Sequence, residues 1–183
     1  MKRVTLFIGA LVIVGAGVLL WWNLRGTTQT TSMITLNCSD SAGQQGSVAE
    51  TLVGGVGGLV LPGSGDPSAL WSRRSADGHR YFAYKAFLEV SPATQRYATV
   101  TIVSPLSAKL YYGPSGVVGT LANSGNGRGF FAAARSQVRL PVCGPGFTGF
   151  VGGIVVMKPT SVTFAVASPH KKTARVTVRI GNG

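Results

Sequence analysis

The sequence predicts an all-β protein: an antiparallel β-sandwich preceded by one N-terminal transmembrane helix. Three observations carry that expectation. An uncharged apolar run fills the N-terminus, period-two alternation dominates the chain from His79 onward, and Pro/Gly/Asn clusters interrupt that alternation at short intervals.

The first element is the apolar run. Between Val4 and Leu24 there is no charge, and only Thr5 and Asn23 break the apolar character. A bilayer core about 30 Å thick needs roughly 20 such residues in a helix. Lys2 and Arg3 precede the run and Arg25 alone follows it closely. The positive-inside rule therefore places the N-terminus in the cytoplasm and the rest of the chain outside the cytoplasmic membrane. Trp21 and Trp22 fall where the outer headgroup layer belongs. The rival is a cleaved signal peptide, whose apolar region spans about 7 to 15 residues and ends in a small-x-small site. The run here is longer, and "WWNLR" follows it without an A-x-A pattern. A lipoprotein cut at Cys38 is also disfavoured, because "ITLNC" carries no small residues just before the cysteine. Residues 1–25 thus read as a cytoplasmic stub and retained single-pass anchor.

Residues 26–37 form the stalk, opening with the uncharged polar stretch "GTTQTTS". Residues 38–183 then read as one extracytoplasmic β-sandwich domain, long enough for a proper core. In "HRYFAYKAFLEV", Phe82, Tyr84, Ala86, Leu88 and Val90 share one face, against Tyr81, Lys85, Phe87 and Glu89. "RYATVTIVS" alternates Ala98, Val100 and Ile102 with Thr99 and Thr101, and "SAKLYYGP" puts Ala108, Leu110 and Tyr112 on one side. "SQVRLPVC" turns Val138, Leu140 and Val142 inward and Gln137 and Arg139 outward. "SVTFAVAS" and "ARVTVRIG" close the chain with Val162, Phe164, Val166, Val176, Val178 and Ile180 inward. Turns fall at "GPSG", "NSGNGRG", "CGPGFTG" and "SPHKK". Helix signals are poor: "SVAE" at 47 fits a capping box and "DPSALW" at 66 fits one turn, but glycines cut both short.

Charge points to a partner. The net charge is +12. All five acids, Asp40, Glu50, Asp66, Asp77 and Glu89, precede residue 90, while ten Lys/Arg and no acid follow it. Such a field attracts polyanions. Outside a bacterial membrane these are anionic lipid headgroups or wall polymers, with an envelope protein as a further candidate partner; the inferred side argues against nucleic acid. On the alternation, Lys109, Arg139, Arg175 and Arg179 project from outer faces, and Arg128 sits at a loop tip. These five are the candidate anion- or partner-binding residues. The bland alternative is that the arginines only solubilise a sheet face.

No catalytic constellation emerges. His79 lies two positions from Asp77, yet no G-x-S-x-G supplies a nucleophile. Two isolated histidines give no zinc spacing, and no cofactor is expected. "GGVGG" at 54 and "GNGRG" at 125 lack the following helix that a phosphate loop requires. "LPGSG" at 61 resembles a wall-sorting signal but stands mid-domain, where it reads as a strand end and turn. Cys38 and Cys143 would face an oxidising compartment, where two cysteines usually pair; the alternative is two free thiols.

"GLVLPG" at 58, "DGHRYFAYKAFLEV" at 77, "ATVTIVSPLSAKLYYGP" at 98 and "FTGFVGGIVVMKPTSVTFAV" at 147 resemble a family of single-span envelope proteins of high-GC Gram-positive bacteria. The resemblance runs from Gly58 to Gly181 and implies an extracytoplasmic β domain; it brings no established activity. That family's pattern has a cysteine about 18 residues beyond the position of Cys143, where Ser161 stands here. The departure puts the family's bridge in doubt and leaves Cys38 as the intramolecular partner. The sequence thus favours a membrane-anchored, non-catalytic binding module with a basic surface. The alternative is an envelope enzyme or enzyme accessory assembled around His79 and Asp77 or around Cys143.

Overall fold

The alternating runs become strands close to the boundaries their pattern sets. In a computed structural model of the chain, residues 33–45, 53–60, 70–76, 79–113 and 133–181 are described. The chain divides into two units, Met1–Thr30 and Thr31–Gly183, and all described residues belong to the second. The expected anchor at 4–24, and with it Asp77, Arg128, "SVAE", "LPGSG" and "GNGRG", lies outside the described residues. Among the described residues no helix is long and apolar enough to cross a membrane.

Among the described residues eleven strands follow one another: β1 (Met33–Thr35), β2 (Gly43–Gln45), β3 (Val56–Val60), β4 (Leu70–Ala76), β5 (His79–Val90), β6 (Tyr97–Ser104), β7 (Lys109–Tyr112), β8 (Gln137–Pro141), β9 (Phe147–Val156), β10 (Thr160–Ala167) and β11 (Ala174–Ile180). The "HRYFAYKAFLEV" run is β5 in full. The single turn expected at "DPSALW" is not helical where it is described, because Leu70 and Trp71 already belong to β4, and Leu70 pairs with Tyr84 of β5. Short 3-10 turns at Cys38–Asp40 and Pro92–Thr94 interrupt the strands.

The strands build two sheets. The first has the order β1-β8-β6-β10-β11; the second runs β2-β9-β5-β3, with β4 also beside β5 and β7 also beside β9. Every pair is antiparallel except β1 with β8, which run parallel. That exception corrects a purely antiparallel expectation, and it explains how the cysteines meet. Thr35 stands opposite Arg139, and three and four residues further along the same direction come Cys38 and Cys143. Their Cα atoms are 5.4 Å apart and the sulfurs are bonded.

One hydrophobic core draws on both sheets. Val100, Val138, Leu140 and Phe164 come from the first; Leu88, Leu110, Phe150 and Ile154 come from the second. Nearly all the positions expected to point inward do so. Val176 and Val178 are only partly buried, because β11 is an edge strand. Ser104-Pro105 is a cis peptide, at the start of the β6–β7 connection.

Two glycine sites show why the local sequence is as it is. Gly54 and Gly55 have φ of 61° and 88°, and Val53 and Val56 exchange backbone hydrogen bonds of 2.8 and 3.0 Å across them. Positive φ at both central residues is a type I′ hairpin turn, which a side chain disfavours. This half of "GGVGG" is therefore a turn. The second site is Gly152, whose neighbours on either strand are Ala86 and Tyr112. The Tyr112 ring lies across Gly152, so that its hydroxyl donates to the Ala86 carbonyl at 3.4 Å. A Cβ on Gly152 would run into that ring and the Tyr111 carbonyl. Burial pushes the Tyr112 hydroxyl well above its ordinary pKa, so it stays a neutral donor.

The second sheet departs from simple alternation. Glu89, which the pattern turns outward, is completely buried. Its face also carries Ala83, Tyr111 and Val155, all buried yet outside the shared core.

Candidate binding face

The strand register decides which basic side chains meet. In the first sheet Val138, Ile102 and Phe164 face the core, so the residues between them face outward. Along one row stand Gln137, Thr101, Ala165 and Arg175, each paired with the next. Arg139 pairs with Thr99, Thr177 with Thr163, and Arg179 with Ser161. Arg139, Arg175 and Arg179 therefore share one outward face, set in a field of threonine and serine hydroxyls. The strands of Arg139 and Arg175 are three spacings apart, about 14 Å at ~4.8 Å per strand.

Local contacts order this face. Gln137 Nε2 donates to Thr101 Oγ1 at 2.8 Å, and the hydroxyls of Thr163 and Thr177 are 2.9 Å apart. Arg175 and Arg179 are exposed, whereas Arg139 is half-buried. Its guanidinium carbon lies 4.6 Å from the centroid of the Tyr97 ring, a cation–π stack. Arg139 Nε is buried without a hydrogen-bond partner among the described residues, so this arginine is part packing and part charge. The pattern alone made all three arginines equivalent. The burial of the Arg139 stem by Tyr97, one row away on β6, is a cross-strand contact that needs the strand order.

The other candidates lie elsewhere. Lys109 sits on β7 in the second sheet, paired with Val155, and does not join the arginines. Arg128 is outside the described residues. His79 opens β5 opposite Ala76 at the end of the β4–β5 hairpin, and Asp77 lies outside the described residues. Cys143, half of the alternative enzyme reading, has its sulfur bonded to Cys38 and presents no thiolate. Among the described residues no three His, Cys, Asp or Glu side chains are grouped as a metal would require.

Of the acids, Asp40 and Glu89 are described, and neither is on the arginine face. Asp40 accepts the Asn37 backbone N–H at 2.8 Å beside the disulfide, and Glu89 is in the second sheet. Chemically, the face offers cationic and hydroxyl donors without a described carboxylate to compete for them. Comparison with protein-family models, with curated proteins and with solved structures finds no match to this chain.

Proposed function

We propose that the protein is a membrane-anchored β-sandwich held outside the cytoplasmic membrane, which binds an anionic polymer of the cell envelope through the outward face of its first sheet. It acts as a binding module without catalysis. The observation that carries this reading is the register that brings Arg139, Arg175 and Arg179 to one hydroxyl-rich face. The uncharged run from Val4 to Leu24 and the basic bias of Lys2 and Arg3 support the anchor. The shared core of the two sheets supports the sandwich.

A test uses the full chain in neutral phosphatidylcholine nanodiscs with polyphosphate as the probe. Binding weakens steeply as salt rises, since exposed charges are screened over about 8 Å at physiological ionic strength. Changing Arg139, Arg175 and Arg179 to Gln together weakens it by about fivefold per arginine at low salt, at roughly 1 kcal/mol per basic residue. Lys109→Gln, on the other sheet, leaves it nearly unchanged. Equal losses from Lys109→Gln and from any one of the arginine changes would mean that net charge, not this face, does the binding.

A further inference from the structure

Among the described residues the exposed large hydrophobic side chains are Leu106, 73% exposed, and Met157, 39% exposed. They are far apart in sequence but share one end of the domain. β6 ends at Ser104 and leads through Leu106 to β7; β9 ends at Val156 and leads through Met157 to β10. β7 and β9 are hydrogen-bonded neighbours with Lys109 opposite Val155, so the two connections leave adjacent strand ends. Lys158 is exposed beside Met157. The β4–β5 hairpin reaches the same end, because Phe82 stands opposite Val156. That hairpin brings Arg73, Arg74 and Arg80 into register there.

The described chain also enters from this side. β1 starts at Met33 opposite Gln137, which is opposite Thr101, and runs away from the Ser104 end. Met33 is thus three rows, or about 10 Å, below the end of β6. Seven residues, 26–32, separate Arg25 from Met33; fully extended they reach about 23 Å.

We infer that the Leu106–Met157 end of the domain rests on the anionic headgroup layer of the membrane, with these two side chains in the interface and Lys158 against lipid phosphates. The inference builds on the anchored reading above. Two apolar tips beside the exposed Lys158, on the end that the arginine-bearing hairpin also reaches, suit a surface that is oily below and negatively charged above. It also leaves the arginine face of the first sheet directed sideways, open to a polymer.

The test is photolabelling of the full chain in nanodiscs of phosphatidylcholine and phosphatidylglycerol, the latter an anionic lipid that attracts basic surfaces, with a lipid carrying a headgroup-proximal diazirine. Adducts are mapped by mass spectrometry. The expected result is labelling at 104–109 and 156–159 together with 4–25, and little at the opposite-end loops 91–96 and 168–173. Leu106→Asp with Met157→Asp, both at exposed positions, cuts the labelling of the two connections about tenfold and leaves that of 4–25 unchanged. Labelling confined to 4–25 would overturn the inference and leave the anchor standing. Labelling nowhere would overturn both. Labelling of the connections that persists undiminished in the double variant, or that spreads equally to the opposite loops, would reduce it to simple proximity and overturn it as well.

Discussion

On the outward face of the first sheet stand Thr99, Thr101, Thr163, Thr177, Gln137 and the three arginines. The corresponding face of the second sheet carries the exposed Lys85, but also Ala83, Glu89, Tyr111 and Val155, none of the four more than 3% exposed. Both sheets contribute to the same core, so the difference lies entirely in what their other faces meet. The first alternates apolar with polar because only one of its faces leaves water. In the second, β9 reads "FTGFVGGIVV", apolar or glycine at nine of its ten positions, because both sides of the strand are shielded. A continuous apolar run bounded by turns is the sequence signature of that state. The shielding is local, since Lys85 on that same face is exposed; the first sheet is the one whose outer face gathers three arginines among hydroxyls.

The sharpest way to break this contrast is to put a carboxylate on each outward face. Val155→Asp buries a charge in the second sheet, at a cost of several kcal/mol after relaxation. That is a large part of the total stability of a domain, about 5 to 15 kcal/mol. Thr177→Asp, on exposed β11, costs about 1 kcal/mol or less. Denaturant melts of the full chain separate the two; equal tolerance would mean that the outward face of the second sheet is open to water.

The next effect concerns the edge of the first sheet. Replacing Cys38 and Cys143 by Ala together opens a 105-residue loop. The chain-entropy model assigns about 4 to 5 kcal/mol to that change. Because the bridge fastens the three-residue strand β1 to β8, the loss is uneven: amide exchange rises most in β1 and least in β9. Uniform loss of protection in both sheets would show that β1 is integral to the cooperative fold.

A smaller effect tests packing within the second sheet. Gly152→Ala drives a Cβ into the Tyr112 ring, an overpacking change of about 1 to 3 kcal/mol. Tyr112→Ala added to it costs less than the sum of the two single changes, since both act on one contact. Ala165→Thr, outward on the first sheet, changes stability by about 0.5 kcal/mol or less. Additive losses at 152 and 112 would remove the ring as the reason for that glycine.

Strand positions were legible because period two is a local property. "HRYFAYKAFLEV" and "ARVTVRIG" needed no partner to show which residues face inward. What was not legible required neighbours. The parallel pairing of β1 has no local signature in three residues. Glu89 looked outward because alternation says which residues share a face and is silent on whether a second layer of burial lies beyond it. The candidate site divided along the same line: alternation placed Arg139, Arg175 and Arg179 outward, but only strand order separated Lys109 from them.

The smallest expected effect separates the arginines from one another. Arg175 and Arg179 stand on an edge strand and are exposed, so changing either to Gln moves stability by about 0.5 kcal/mol or less. Arg139 differs because its guanidinium stacks on Tyr97 and its stem is half-buried. Arg139→Gln loses the cation–π contact, about 0.5 to 1 kcal/mol, and some packing of its methylenes. Tyr97→Leu keeps an apolar cover over the stem but removes the ring; in that background Arg139→Gln costs less, and the difference is the value of the stack. Chemical denaturation of the four variants measures it as a double-mutant cycle. If Arg139→Gln proves as neutral as Arg175→Gln, the stack contributes nothing to folding and Arg139 is a surface charge like the other two. If it alone destabilises the domain, the first sheet has one arginine that serves both its packing and its outer face, and polyphosphate binding by Arg175→Gln and Arg179→Gln becomes the cleaner measure of the charge itself.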